Sequence, residues 1–267
     1  MKTRLFRGGS TLGAILCLAT VVHAQSREDA PSAPNPSVPP STPSSVWHRP
    51  AAILYDSGPL ITHPGGGAGG ADASRLQVTS LSMTTLGFGH QIANNNSVAE
   101  DFTVPAPGWG LTQITFFGYQ TGSTTTSTIN AVQVRLWNGP PNGGGTVIWG
   151  DMATNRLAST SFSNIYRDSE TTVGNNSRPI MAAIATVATT LTPGTYWVEW
   201  RMGGSLASGP WAPPLTVLGQ TTTGNALQNL AGTWGTANDG GTGTQQGFKF
   251  IVEGNVLPVE LQKIEIR

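Results

Sequence analysis

Two short segments set tryptophan, arginine and a carboxylate at alternate positions. Over 131–137, Gln133, Arg135 and Trp137 alternate with Val132, Val134 and Leu136. Over 195–202, Trp197, Glu199 and Arg201 alternate with Tyr196, Val198, Trp200 and Met202. Successive side chains of a strand point to opposite faces, so each segment predicts one apolar face and one face mixing Trp with charge. An exposed indole can stack on the C–H face of a sugar ring while Arg, Glu and Gln bond its hydroxyls. Gln133, Arg135, Trp137, Trp197, Glu199 and Arg201 are therefore a candidate ligand-binding set. The same residues have a plainer use, with Trp covered by loops and Glu199 paired to Arg135 or Arg201 across strands.

Catalytic spacing is thin. Glycoside hydrolysis needs two facing carboxylates, and Glu100, Asp101, Asp151, Asp168, Glu199 and Asp239 offer no distinctive pair. Glu100 and Asp101 are neighbours on a predicted strand, so they point to opposite faces. Glu199, amid Trp and Arg, is the one carboxylate worth considering as an acid/base. His48, His63 and His90 form no H-x-H or H-E-x-x-H spacing, and G-x-S-x-G is absent. The run HPGGGAGGAD from His63 lacks the helix and lysine of a phosphate loop and reads as a flexible surface loop. No cofactor is expected. Oxygen donors near Asp151 and around Asn238-Asp239-Gly240 make those two carboxylates candidates for a structural calcium, without any EF-hand spacing.

The elements that must hold these residues are strands. Short β-branched and aromatic runs at 98–104, 111–120, 131–137, 147–149, 156–166, 179–191, 195–202, 215–219 and 247–253 are separated by turn signals such as Asn138-Gly139, Pro193-Gly194 and Asp239-Gly240-Gly241. Only 74–86 is ambiguous with a short helix. Charged residues are 10% of the chain, which suits strands and turns better than helical surfaces. The expectation is an all-β antiparallel sandwich, of which the jelly roll is the favoured version.

Residues 1–24 carry a secretory pattern: Lys2, Arg4 and Arg7, then an apolar run of about twelve residues, then Val22-His23-Ala24. Residues 25–45 read as a Pro/Ser-rich extended linker, 46–254 as one domain and 255–267 as a tail. Removing the leader leaves 11 basic residues against 14 acidic ones and takes away Cys17, the single cysteine. That excludes disulfides and thiolate sites from the mature chain and argues against nucleic acid as a partner. The leader is too short to span a bilayer and the tail has no long apolar stretch, so no transmembrane anchor is expected.

The segments VAEDFTVPAPGWGLTQITFFGYQTGSTTTSTINAVQVRLWNGPP, TYWVEWRMGGSLASGPWAPP and LGQTTTGNALQ resemble a family of bacterial exported proteins of unknown function. The likeness covers about residues 53–254, and LPVELQKIEIR resembles the stretch that follows such domains. It implies a single β-sandwich, with C-terminal sorting or anchoring signals in some members, and transfers no catalytic residue. The expected protein is a secreted, non-catalytic module that binds polysaccharide or the cell envelope. A carbohydrate-active hydrolase or lyase using Glu199 is the alternative. A matrix or filament subunit that adds its 257–267 tail to another sheet edge is the third reading.

Overall fold

The computed structural model describes residues 26–30 and 53–258. Strands are numbered in chain order. One six-stranded sheet runs β2 (Ile53–Asp56), β15 (Phe250–Val256), β6 (Trp109–Gly118), β10 (Pro179–Leu191), β9 (Leu157–Ser169) and β3 (Asp72–Leu76). The other runs β14 (Thr233–Thr236), β13 (Leu227–Leu230), β5 (Ser97–Val104), β11 (Gly194–Gly204), β7 (Ile129–Trp137) and β8 (Val147–Asp151). A small third sheet sets β4 (Thr85–Gly89) between β1 (Arg27–Asp29) and β12 (Trp211–Ala212). Among the described strands all pairs are antiparallel except β3 with β9.

The two large sheets face each other across an aromatic core. Phe116 of β6 stacks on Trp200 of β11 with ring centroids 4.8 Å apart, and Phe250 of β15 lies 5.9 Å from Phe102 and 6.1 Å from Trp200. Val198, Trp200 and Met202 are completely buried beside Val132, Val134 and Leu136. The alternation seen in sequence thus becomes a sandwich, because each apolar face has one place to go. Large rings at 4.5–7 Å separations add to the area term that drives this packing.

Several sequence expectations shift. The ambiguous 74–86 region divides into the end of β3, one helical turn at Val78–Leu81 and the start of β4. Leu215 to Gly219 forms no strand, although Leu215 donates to the Gly247 carbonyl at 2.8 Å. Arg27–Asp29, within the expected linker, is a strand on β4, while 31–45 lies outside the described residues. β15 continues past residue 254 to Val256, and the rest of the expected tail from 259 also lies outside them.

Hydrogen bonds tie the glycine-rich loop to the strand that follows it. Asp72 accepts from the Gly65 amide, and Arg75 donates to the Gly66 carbonyl while gripping Asp168 through two bonds of 2.9 and 2.7 Å. Beside this pair, Arg167 is fully buried and spends its donors on the Leu86 carbonyl, Ser74 Oγ and Thr216 Oγ1. Glycines make the loop compact, and a guanidinium pins it.

Glu100 and His90 lie inside the protein and are both shifted toward their neutral forms. Glu100, on the inner face of β5, accepts from the Phe248 amide at 2.7 Å, and burial pushes its pKa from 4.5 up to about 8. His90 is completely buried, and loss of solvation pulls its pKa from 6.5 down to about 3. The signs follow from linkage. Glu100 keeps a proton that the unfolded chain releases, so its contribution is full below pH 4.5 and is lost as pH rises through about 8. His90 stays neutral while the unfolded chain charges, so its contribution is full above pH 6.5 and is lost as pH falls through about 3. Between pH 6.5 and about 8 only the Glu100 term slopes. Urea unfolding should show stability falling there by at most about 1.4 kcal/mol per pH unit. Glu100→Gln should flatten that limb and leave the acid limb intact; an unchanged limb would contradict the assignment.

Candidate functional site

The site is built by the register of β11 against β7. Trp197 lies opposite Trp137, Glu199 opposite Arg135 and Arg201 opposite Gln133. All six candidates therefore occupy one block on the outer face of one sheet, while their alternates fill the core. β5 adds Ser97 and Ala99 to the same face, since Glu199 pairs with Ala99 on that side.

Glu199 sits at the centre, only 1% exposed. Its Oε2 accepts from Arg135 Nε at 2.6 Å and from Trp137 Nε1 at 2.9 Å. Its Oε1 accepts from Ser97 Oγ at 2.7 Å and from an Arg135 terminal nitrogen at 3.2 Å. The two-pronged arginine contact fixes the guanidinium plane, which also lies 4.7 Å from the Trp137 ring centroid. Arg201 is similarly committed, donating from Nε to Gln133 Oε1 at 2.6 Å and from its terminal nitrogens to Asn95 Oδ1 and the Met152 carbonyl. Burial draws its pKa below the ordinary value against the opposing pull of Glu199.

Backbone geometry fixes how closely β8 approaches β7 beside Arg135. Gly150 lies opposite Arg135 with φ of +79°, and a Cβ there would meet the Val134 carbonyl oxygen at 2.4 Å. Only glycine takes that conformation at that approach without strain.

Next to Glu199 a groove of about 300 Å³ is lined by Asn95, Ser97, Arg135, Arg201, Asn229 and Trp234, with Glu199 in its wall. Trp197 is 8% exposed and packs with Ala99, Leu227, Trp137 and Trp234, so its ring supports the face from within. Trp137 and Trp234 keep partial exposure. Trp234 and Asn229 come from the β13–β14 hairpin, which sequence reasoning missed. Its turn uses Ala231 at φ +50° and Gly232 at φ +102°. Alanine at the first of these positions hides the usual Asn-Gly signal for such a turn. Ser97 was findable, because it continues the alternation that puts Ala99 and Asp101 on the outer face.

The other predicted carboxylates lie elsewhere. Asp151 accepts from the Ala153 and Thr154 amides and from Arg156, and these bonds pull its pKa down to about 2. Asp239 is 1% exposed and accepts from the amides of Thr84, Thr85, Gly241 and Thr242, closing its loop onto β4. Both act as turn clamps that N–H donors satisfy. Among the described residues no group of three or more His, Cys, Asp or Glu converges as a metal site, and no helix is long and apolar enough to cross a membrane.

A scan of protein-family models, a search of curated proteins and a search of solved structures each found no match to this chain.

Four donors aimed at one carboxylate make Glu199 a structural hub. Glu199→Gln should turn one accepting oxygen into a donor facing other donors and cost about 3 kcal/mol. Arg135→Met/Glu199→Gln should cost less than the two single changes added together, measured by urea unfolding. Additive losses would show that the pair does not work as a unit.

Proposed function

We propose that this protein is a secreted, non-catalytic β-sandwich module that binds polysaccharide or a cell-envelope surface through the outer face of β5, β7 and β11. The observation that carries this reading is the groove beside Glu199, which partly exposed Trp234 lines together with Arg135, Arg201, Asn95 and Asn229, while partly exposed Trp137 lies next to it, bonded to Glu199. Sugar recognition needs an aromatic plane for C–H groups and fixed donors and acceptors for hydroxyls, and both kinds of group meet here. The polar groups are held in place before any ligand arrives, by Glu199 for Arg135 and by Gln133 and Asn95 for Arg201. Preorganisation of this kind lowers the entropic cost of binding.

The export reading rests on the leader pattern and fits a surface ligand. Glu199 supports binding over acid–base chemistry. A general acid presents a proton to the substrate, whereas both oxygens of Glu199 accept bonds from protein donors.

Retention on insoluble polysaccharides and glycan arrays tests the proposal. The wild-type chain should be retained on at least one polymer. Trp137→Ala and Trp234→Ala should each weaken retention roughly threefold to tenfold. Trp149→Ala, whose ring instead carries Arg156 at 4.4 Å, should leave it unchanged. Absence of wild-type retention, or equal retention by all variants, would refute the reading.

A further inference from the structure

β4 is flanked by a strand that arrives from far away in the chain. Arg27 lies opposite Phe88, Glu28 opposite Gly87 and Asp29 opposite Thr85. The ladder is extended at both ends, by the Gly89 amide donating to the Ser26 carbonyl at 2.9 Å and the Ala30 amide donating to the Thr84 carbonyl at 2.5 Å. Gln228 Nε2 also donates to the Ser26 carbonyl.

The acceptor reads side chains as well as backbone. Glu28 Oε1 accepts from Arg178 Nε at 2.9 Å and from Thr121 Oγ1 at 2.8 Å. Arg178 is 5% exposed and the neighbouring Tyr119 is completely buried. The Tyr119 hydroxyl lies 2.5 Å from where a Cβ of Gly87 would stand, so the missing side chain on β4 makes room at the point where Glu28 enters. Ala30 packs against the apolar cluster of Leu76, Met83 and Leu86. The slot thus demands an extended segment with a carboxylate at one position and a small apolar residue two further on. Such pairing along a sheet edge is a general mode of peptide recognition.

The groups that grip Ser26, Glu28 and Ala30 come from residues 76–228, Gly240 lies against Arg27, and residues 31–52 separate the inserted segment from the next described strand. That length of chain can span up to roughly 70 Å when extended. The slot therefore has the same shape whichever copy of the chain supplies the strand. We propose that the β4 edge is a strand-accepting groove whose occupant, residues 26–30, exchanges between two copies of this protein to give a reciprocal strand-swapped dimer. The swap replaces each intramolecular contact with an identical intermolecular one, so it costs no native interaction. At low concentration the tethered strand returns to its own slot.

A charge-reversal pair of full-length chains tests this. Glu28→Arg alone and Arg178→Glu alone each set like charges against each other within one chain. Mixing the two brings opposite charges together only when strands cross between molecules. Light scattering after size exclusion should give monomers for each variant and a one-to-one heterodimer for the mixture. The double variant, with the pair reversed in one chain, should behave as wild type and report that both substitutions are tolerated by the fold. In a second arm, a fluorescent Ser-Arg-Glu-Asp-Ala peptide should bind the Glu28→Arg chain. The same peptide with Gln in place of its Glu should bind at least about tenfold more weakly, one charged hydrogen-bonded contact being worth that much. A mixture that remains two monomers overturns the exchange even if the peptide binds, and failure of the peptide overturns the groove itself.

Discussion

A carboxylate that is buried on the outer face of a sheet fixes much of this molecule. Glu199 is sealed from water yet is not in the core, so its bonds must come from the strands on either side, and they do: Ser97 from β5, Arg135 and Trp137 from β7. On the reverse side of the same strand, Trp200 needs the space between the two sheets. A one-residue slip of β11 would place the carboxylate among aromatic rings and the indole in the groove. Charge on one face and ring size on the other therefore specify the same register. The groove borders this network, because Ser97 and Arg135, which satisfy Glu199, also line it.

The chain handles its buried ionisable groups in different ways, and each matches the surroundings. Glu199 keeps a cationic partner at the rim, where Arg135 reaches solvent. Glu100, one residue from the outward-facing Asp101, lies among core rings and is satisfied by a backbone amide with its pKa raised. Arg167 is surrounded by carbonyl and hydroxyl oxygens, and burial lowers its pKa to about 10. His90 remains neutral beside Met202 and Gly118. The costs of burying charge are met by pairing where a partner fits and by neutralisation where none does. Glu100 and His90 thus tie stability to pH from within, and the outer pair of Glu199 and Arg135 helps to shape the groove.

Much of this was legible in the sequence where alternation was long and one-sided. The outer set Gln133, Arg135, Trp137, Trp197, Glu199 and Arg201 could be grouped by parity alone, and their shared sheet followed once β7 and β11 paired. The opposite facing of Glu100 and Asp101 was legible for the same reason. Exposure was not, because it depends on neighbours distant in sequence: Leu227 and Trp234 cover Trp197, and nothing local to Trp197 announces them. The β13–β14 hairpin escaped because four-residue strands carry little periodicity and Ala231 occupies a position usually given to Asn or Gly. The strand at Arg27–Asp29 escaped because a charged tripeptide beside prolines has no β signal of its own; its partner Arg178 lies 150 residues away.

The proposed sugar ligand docks on the face that Glu199 organises. Indole N–H signals in proton–nitrogen correlation spectra test it directly, with soluble hexasaccharides derived from cellulose, chitin and xylan as probes. The signals of Trp137 and Trp234 should move in a saturable way with at least one of these ligands, while that of Trp200, enclosed between the sheets, stays fixed. Unmoved signals from Trp137 and Trp234 with every ligand, or movement confined to Trp149, would contradict sugar docking on this face.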